Sequence, residues 1–224
     1  MFGLSVGEYF SACGMCTLNM IKVRHYDTIS VLEAVEALIR HRRKRYSQLQ
    51  VNQRNRLYKD HEKKRIIKIF SKPLKVTHSN FLISLLQQQD FVKNFCPHLV
   101  SLIIVGDNSQ ELLLAGYVMQ EGNVLNTKDL VTYLRKPSVR NKWVTGMDKH
   151  GFYYNDFKAK NLIREAGRIG LIDLEAIHPR PATPYTLSQP QHIHNVSRKI
   201  ELYDLGWYYD AVGISLPKHK MVEK

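Results

Sequence analysis

Cys13-Gly14-Met15-Cys16 has the spacing of a metal-ligating pair, and His192-Ile193-His194 puts two imidazoles on one face of an extended segment. A structural zinc site takes four ligands. The third cysteine, Cys96, is far along the chain, so His25, His98 or a neighbouring chain would have to complete the set. The histidine pair has no carboxylate or cysteine beside it and reads as a solvated segment. Asp148, His150, Asp156 and Glu175 could serve as acids or bases, but their spacing pairs no nucleophile with a base and an orienting partner. No phosphate-cradling loop and no Gly-rich dinucleotide turn is present. The expectation is a protein without catalysis, metal, cofactor or small-molecule substrate.

The chemistry that does stand out is positive charge. Fourteen of the 33 Lys and Arg residues fall between Arg40 and Lys75, against two acids, Asp60 and Glu62. That window is net +12, while the remaining 19 cations and 18 acids nearly cancel, so the chain's +13 is a local feature. Such a block repels itself unless an anion or solvent neutralises it. Each Lys or Arg set against a phosphate releases condensed counterions, which makes nucleic acid the fitting partner. Arg40, Arg42, Arg43, Lys44 and Arg45 are expected as RNA contacts, Arg42, Arg43 and Arg45 among the closest, with Arg54, Arg56, Lys72 and Lys75 beside them. Guanidinium forks suit a phosphate ridge, and the interleaved Tyr46 and Tyr58 suit RNA, whose unpaired bases can stack. The competing reading is a solvated helix end.

Around these residues the chain divides into four parts: residues 1–26, 27–120, 121–178 and 179–224. The first carries one charged side chain before Lys22, Glu8, and shows neither the basic start of a secretory signal nor an Arg-rich transit peptide. Its apolarity suggests packing against a partner. No apolar run approaches the roughly 20 residues of a membrane span, and three cysteines make no disulfide framework, which favours a reducing or organellar interior. In the second part, Asp27 or Thr28 opens a helix over 30–45, with Val31, Leu32, Val35, Leu38 and Ile39 on one face. Residues 46–64 read as an exposed basic loop, 65–70 as a strand, 77–89 as a helix, and 91–95 and 99–105 as strands. Gly106-Asp107-Asn108 signals a turn, and 111–119 returns as a hairpin partner. The third part reads as a small β-rich domain with a strand over 139–145, punctuated by Gly146, Gly151 and Gly170. In the fourth, Pro179, Pro181, Pro184 and Pro190 favour an extended strap, and 203–209 is an aromatic-rich docking segment.

This order of elements resembles the eighth small-subunit ribosomal protein family, in a divergent, mitochondrial form. Residues 28–45 look like that family's first helix and basic turn. "VTHSNFLISLLQQQDFVKNF" (76–95) resembles its serine-led helix and following strand, with Asp90 in place of a glycine. Lys136-Pro137-Ser138-Val139-Arg140, then Trp143-Val144-Thr145, resembles its Lys-Pro-Ser/Gly-Arg-Arg turn and aromatic strand. Residues 170–176, Gly-Leu-Ile-Asp-Leu-Glu-Ala, resemble its Gly-Ile/Leu-Met to Glu-Ala stretch. Two departures stand out: the family's Ser-Thr-Ser triplet is replaced by 164–168, and its glycine pair after Glu-Ala by Pro-rich sequence.

The resemblance implies an α+β fold of two small subdomains with N- and C-terminal extensions that bind ribosomal RNA. It adds Lys136, Ser138, Arg140, Arg164, Arg168 and Gly170 as RNA contacts, with Gly167 and Gly170 allowing close backbone approach. It also implies neighbouring ribosomal proteins as partners of the two extensions, and no membrane. The alternative is a DNA-binding regulator in which 77–95 forms a helix-turn-helix or winged-helix unit, Gln87, Gln88 and Gln89 reading bases. Against it, the positive charge lies upstream of that helix.

Overall fold

Branched and aromatic residues crowd three segments, Arg65–Phe70, Leu99–Gly106 and Leu112–Gln120, and these form the centre of a seven-stranded sheet. The computed structural model describes residues 7–9, 19–24, 44–51, 54–106, 112–154, 156–180, 185–186 and 214–215. The fold is α+β, in two compact units, Met1–Gly122 and Asn123–Lys224.

The first unit contains β1 (Gly7–Tyr9), β2 (Asn19–Arg24), β3 (Tyr46–Val51), β4 (Asn55–Asp60), β5 (Arg65–Phe70), β6 (Leu99–Gly106) and β7 (Leu112–Gln120). Their spatial order is β1-β2-β6-β7-β5-β4-β3. β2 pairs parallel with β6, and the other pairings are antiparallel. Helices α1 (Val76–Leu86) and α2 (Gln89–Phe95) carry the chain from β5 to β6, which run in the same direction with β7 between them. Tyr58, Ile69, Ile103, Val105, Ala115 and Val118 build a core on one face of the sheet. On the other face Lys68 pairs across from Tyr117, whose ring meets Phe70 edge-on at 5.9 Å.

Several expectations are met. The 65–70 strand, the helix from 77 and the hairpin of 99–105 with 111–119 all form, with Leu82, Leu85 and Leu86 of α1 buried. Others are corrected. Residues 46–64 are no loop: β3 and β4 form a hairpin whose inward face carries Tyr46, Tyr58 and Asp60. Residues 91–95 form a helix, because Phe91 and Phe95 are four apart and bury together with ring centroids 5.3 Å apart. Lys44 and Arg45 lie in a turn entering β3, while residues 30–43 of the expected helix lie outside the described residues. Residues 7–9 and 19–24, from the segment divided off as an extension, supply β1 and β2, and β2 docks on the chain's own β6.

The second unit holds β8 (Asn123–Val124), α3 (Thr127–Leu134), α4 (Pro137–His150), β9 (Phe152–Tyr154), β10 (Leu162–Glu165), β11 (Arg168–Leu171) and β12 (Ile177–Pro179). One sheet runs β11-β10-β8, and β12 pairs with β9. Farther on, β13 (Tyr185–Thr186) pairs parallel with β14 (Ile214–Ser215). The strand expected over 139–145 is the middle of α4, so this part is not β-rich. Pro137 occupies the first helical turn, Trp143 and Met147 bury at a spacing of four, and Gly151 ends the helix with φ 63°. Asn126 caps α3, its Oδ1 accepting from the Asp129 amide at 2.8 Å.

Candidate nucleic-acid interface

The charge window folds into the β3–β4–β5 edge of the sheet, and the register sorts its cations to two ends. Tyr46 pairs with Asp60 and Asp60 with Arg65, so Lys44, Lys63 and Lys64 gather where β3 begins. Asn55 pairs with Phe70, and the Ser71 amide donates to the Arg54 carbonyl at 2.8 Å, which brings Arg54 beside Lys72 at the opposite end. Lys75 follows at the start of α1. All six of these side chains are exposed, and Arg56 is half-buried. The two clusters are separated by the length of a six-residue strand, roughly 17–20 Å.

Arg45, Lys59 and Lys68 are held by neighbouring side chains. Arg45, expected as a close contact, grips Asp60 through two hydrogen bonds and Glu62 through a third. Lys59 pairs with Glu121 at 2.5 Å. Lys68 is buried over the rings of Phe70 and Tyr117, 5.9 and 5.6 Å from their centroids. Arg40, Arg42 and Arg43 lie outside the described residues. Lys63 and Lys64 were hidden in the sequence by their place inside a presumed loop; the hairpin gives them a position.

Burial alone would raise the Asp60 carboxyl, but hydrogen bonds from Arg45 and from the Lys63 and Glu62 amides outweigh it and hold the pKa below its ordinary value. The hydrogen bond to Asp60 likewise raises Arg45, against a smaller opposing effect of burial. The Cys96 thiol is pushed far up by complete burial, which leaves it unreactive at neutral pH.

In the second unit Lys136 and Ser138 are exposed, but they open α4 and form no projecting turn. Arg140 turns inward, its Nε donating to the Leu134 carbonyl at 2.7 Å, so it holds the end of α3. Arg164 and Arg168 are exposed on the β10–β11 hairpin. Ala166 and Gly167, with φ 47° and 78°, form its two-residue turn; Gly167 serves the turn. Gly170 is buried opposite Ile163 in β11, which removes it as a surface contact.

Two of the four acid–base candidates have structural employment. Asp148 pairs with Arg180, and Asp156 accepts from Lys158 and Asn161. Among the described residues no group of three His, Cys, Asp or Glu could hold a metal ion; Cys13, Cys16, His25, His192 and His194 lie outside them. Among the described residues no helix is long and apolar enough to cross a membrane. The 77–95 stretch does form two successive helices, yet α2 spans seven residues and buries Phe91 and Phe95. No protein-family model matches this chain, and comparison with curated proteins returns no match.

Proposed function

We propose that this chain is a structural RNA-binding protein of the small ribosomal subunit, in the mitochondrion, that grips ribosomal RNA phosphates and performs no catalysis. The carrying observation is the pair of exposed cationic clusters, Lys44, Lys63 and Lys64 at one end of the sheet edge and Arg54, Lys72 and Lys75 at the other. Both acids of the window pair with Arg45. Two clusters a strand apart suit two stretches of phosphate better than a single small anion. The resemblance to the ribosomal family supports the choice of ribosomal RNA, and neighbouring ribosomal proteins would cover the chain's terminal segments.

Salt-dependent binding tests this. Changing Arg54, Lys63, Lys64 and Lys72 to Gln is expected to reduce the slope of log affinity against log salt by about 0.7–0.9 per lost phosphate contact. Arg45→Gln, by contrast, should lower thermal stability and leave the slope nearly unchanged. A quadruple variant that keeps the wild-type slope overturns the assignment. Co-sedimentation of the tagged protein with ribosomal particles on a sucrose gradient tests the ribosomal placement, which fails if the protein stays at the top.

A further inference from the structure

Helix α4 carries a polar stripe that the sheet edge leaves without a role. Ser138, Asn141, Lys142, Thr145 and Lys149 are exposed, and their spacing places all five along one side of the helix. The opposite side buries Trp143, Gly146 and Met147. The stripe offers two ammonium groups, two hydroxyls and one amide, with no carboxylate and no large apolar group. The adjacent acid, Asp148, is paired with Arg180. Lys142 and Lys149 stand two turns apart, roughly 10–11 Å along the axis. Burial of part of its length depresses the Lys142 pKa, as for a stem laid on the helix with its head in water.

We infer that this stripe is a second RNA contact, laid against the shallow minor groove of an A-form RNA helix. The inference rests on the RNA-binding reading of the chain and adds a site in the other unit. The two ammonium groups suit phosphates. The Ser138 and Thr145 hydroxyls and the Asn141 amide suit the 2′-hydroxyls that line that groove, each able to donate and accept. A protein partner would want apolar area, which the stripe lacks, and unpaired bases would want an aromatic or guanidinium platform, which it also lacks. The deep A-form major groove excludes a helix, whereas the minor groove is wide enough to receive one face.

The test uses the full chain with double-stranded RNA, a DNA duplex of the same sequence and single-stranded RNA, read by fluorescence anisotropy. Ser138→Ala with Thr145→Ala should weaken double-stranded RNA binding about tenfold, the worth of one or two ordinary hydrogen bonds, and leave DNA binding unchanged. Lys142→Gln with Lys149→Gln should reduce the salt slope by about two. Melting curves matching wild type establish that each variant is folded. The hydroxyl variant binding double-stranded RNA like wild type overturns the proposal, as does an equal loss on RNA and DNA, or a wild-type preference for single-stranded RNA. The sheet-edge reading fails separately: Lys63→Gln with Lys64→Gln would then leave the salt slope intact while the α4 variants still lose RNA.

Discussion

Arg45 and Asp60 clasp the mouth of the β3–β4 hairpin, Nε to Oδ1 at 3.2 Å and Nη2 to Oδ2 at 2.9 Å. The same carboxylate accepts from the Glu62 and Lys63 amides at 3.1 and 3.2 Å, so it also organises the turn into β5. Nη1 of Arg45 reaches Glu62 at 2.7 Å. The window's two acids therefore hold one arginine and one turn, and by fixing that turn they present Lys63 and Lys64 to solvent.

A pH signature follows. The folded-state pKa of Asp60 is depressed below 3.8, so its stabilisation is fully present above that value and is lost as pH falls through the lower folded value. Asp60→Asn should lower the melting temperature by a few degrees at pH 7, and the gap from wild type should close as pH falls below about 4. Thermal melts across pH 2.5–7 check this (roughly the carboxylate range). A gap that stays constant would show that charge on Asp60 contributes nothing.

The elements legible from sequence are those with a long apolar run or a clear helical spacing. The apolar runs of β6 and β7 read as strands because burial on both faces leaves a nearly continuous hydrophobic signal, and β5 reads as one from its three Ile residues and Phe70. β3 and β4 are not legible in the sequence because Ser47, Gln48, Gln50, Asn55, Arg56 and Lys59 break up any apolar run, and β3 lies at the sheet edge, where polar residues are the rule. α2 and α4 read as strands from their aromatic and branched residues, although Phe91 with Phe95 and Trp143 with Met147 show the helical spacing of four. Pro137 and Gly151 even bracket α4. As for the interface, composition locates the charge, but only the fold separates half-buried Arg45 and Lys59 from exposed Lys63 and Arg54.

Gly116 should prove indispensable. It sits in β7 opposite Ile69, next to an irregularity in the pairing with β6, and a Cβ there would drive into the Lys68 carbonyl oxygen and crowd the Ile69 Cα. Both obstacles are backbone in the sheet centre and cannot swing away. Gly116→Ala is expected to cost about 1–3 kcal/mol or more, as overpacking does. Chemical denaturation of the variant measures it, and wild-type stability would mean that the sheet gives at this point.

Ser79 ties α1 to the sheet. Its fully buried hydroxyl donates to the Leu74 carbonyl and accepts from the Leu114 amide, both at 3.0 Å. Ser79→Ala leaves a buried N–H and a carbonyl short of partners and should cost about 1–3 kcal/mol. Ser79→Thr keeps the hydroxyl, so equal losses in the two variants would point to packing instead.

Trp143 supports the second unit. It is 2% exposed and meets Phe157 edge-on at 4.9 Å, and Phe157 meets Tyr154 in turn at 5.9 Å. Trp143→Ala removes the largest side chain of this cluster and should cost about 3–5 kcal/mol. That is a large share of the roughly 5–15 kcal/mol that holds an ordinary domain. Because the chain divides at Gly122, the damage should be local. Hydrogen exchange is expected to lose protection in residues 125–171 while β5, β6 and β7 keep theirs. RNA binding should then lose the contribution of the α4 stripe and retain the salt dependence of the sheet edge. Uniform loss of protection along the chain would show instead that the two units unfold as one, and that the sheet-edge clusters depend on Trp143 as much as α4 does.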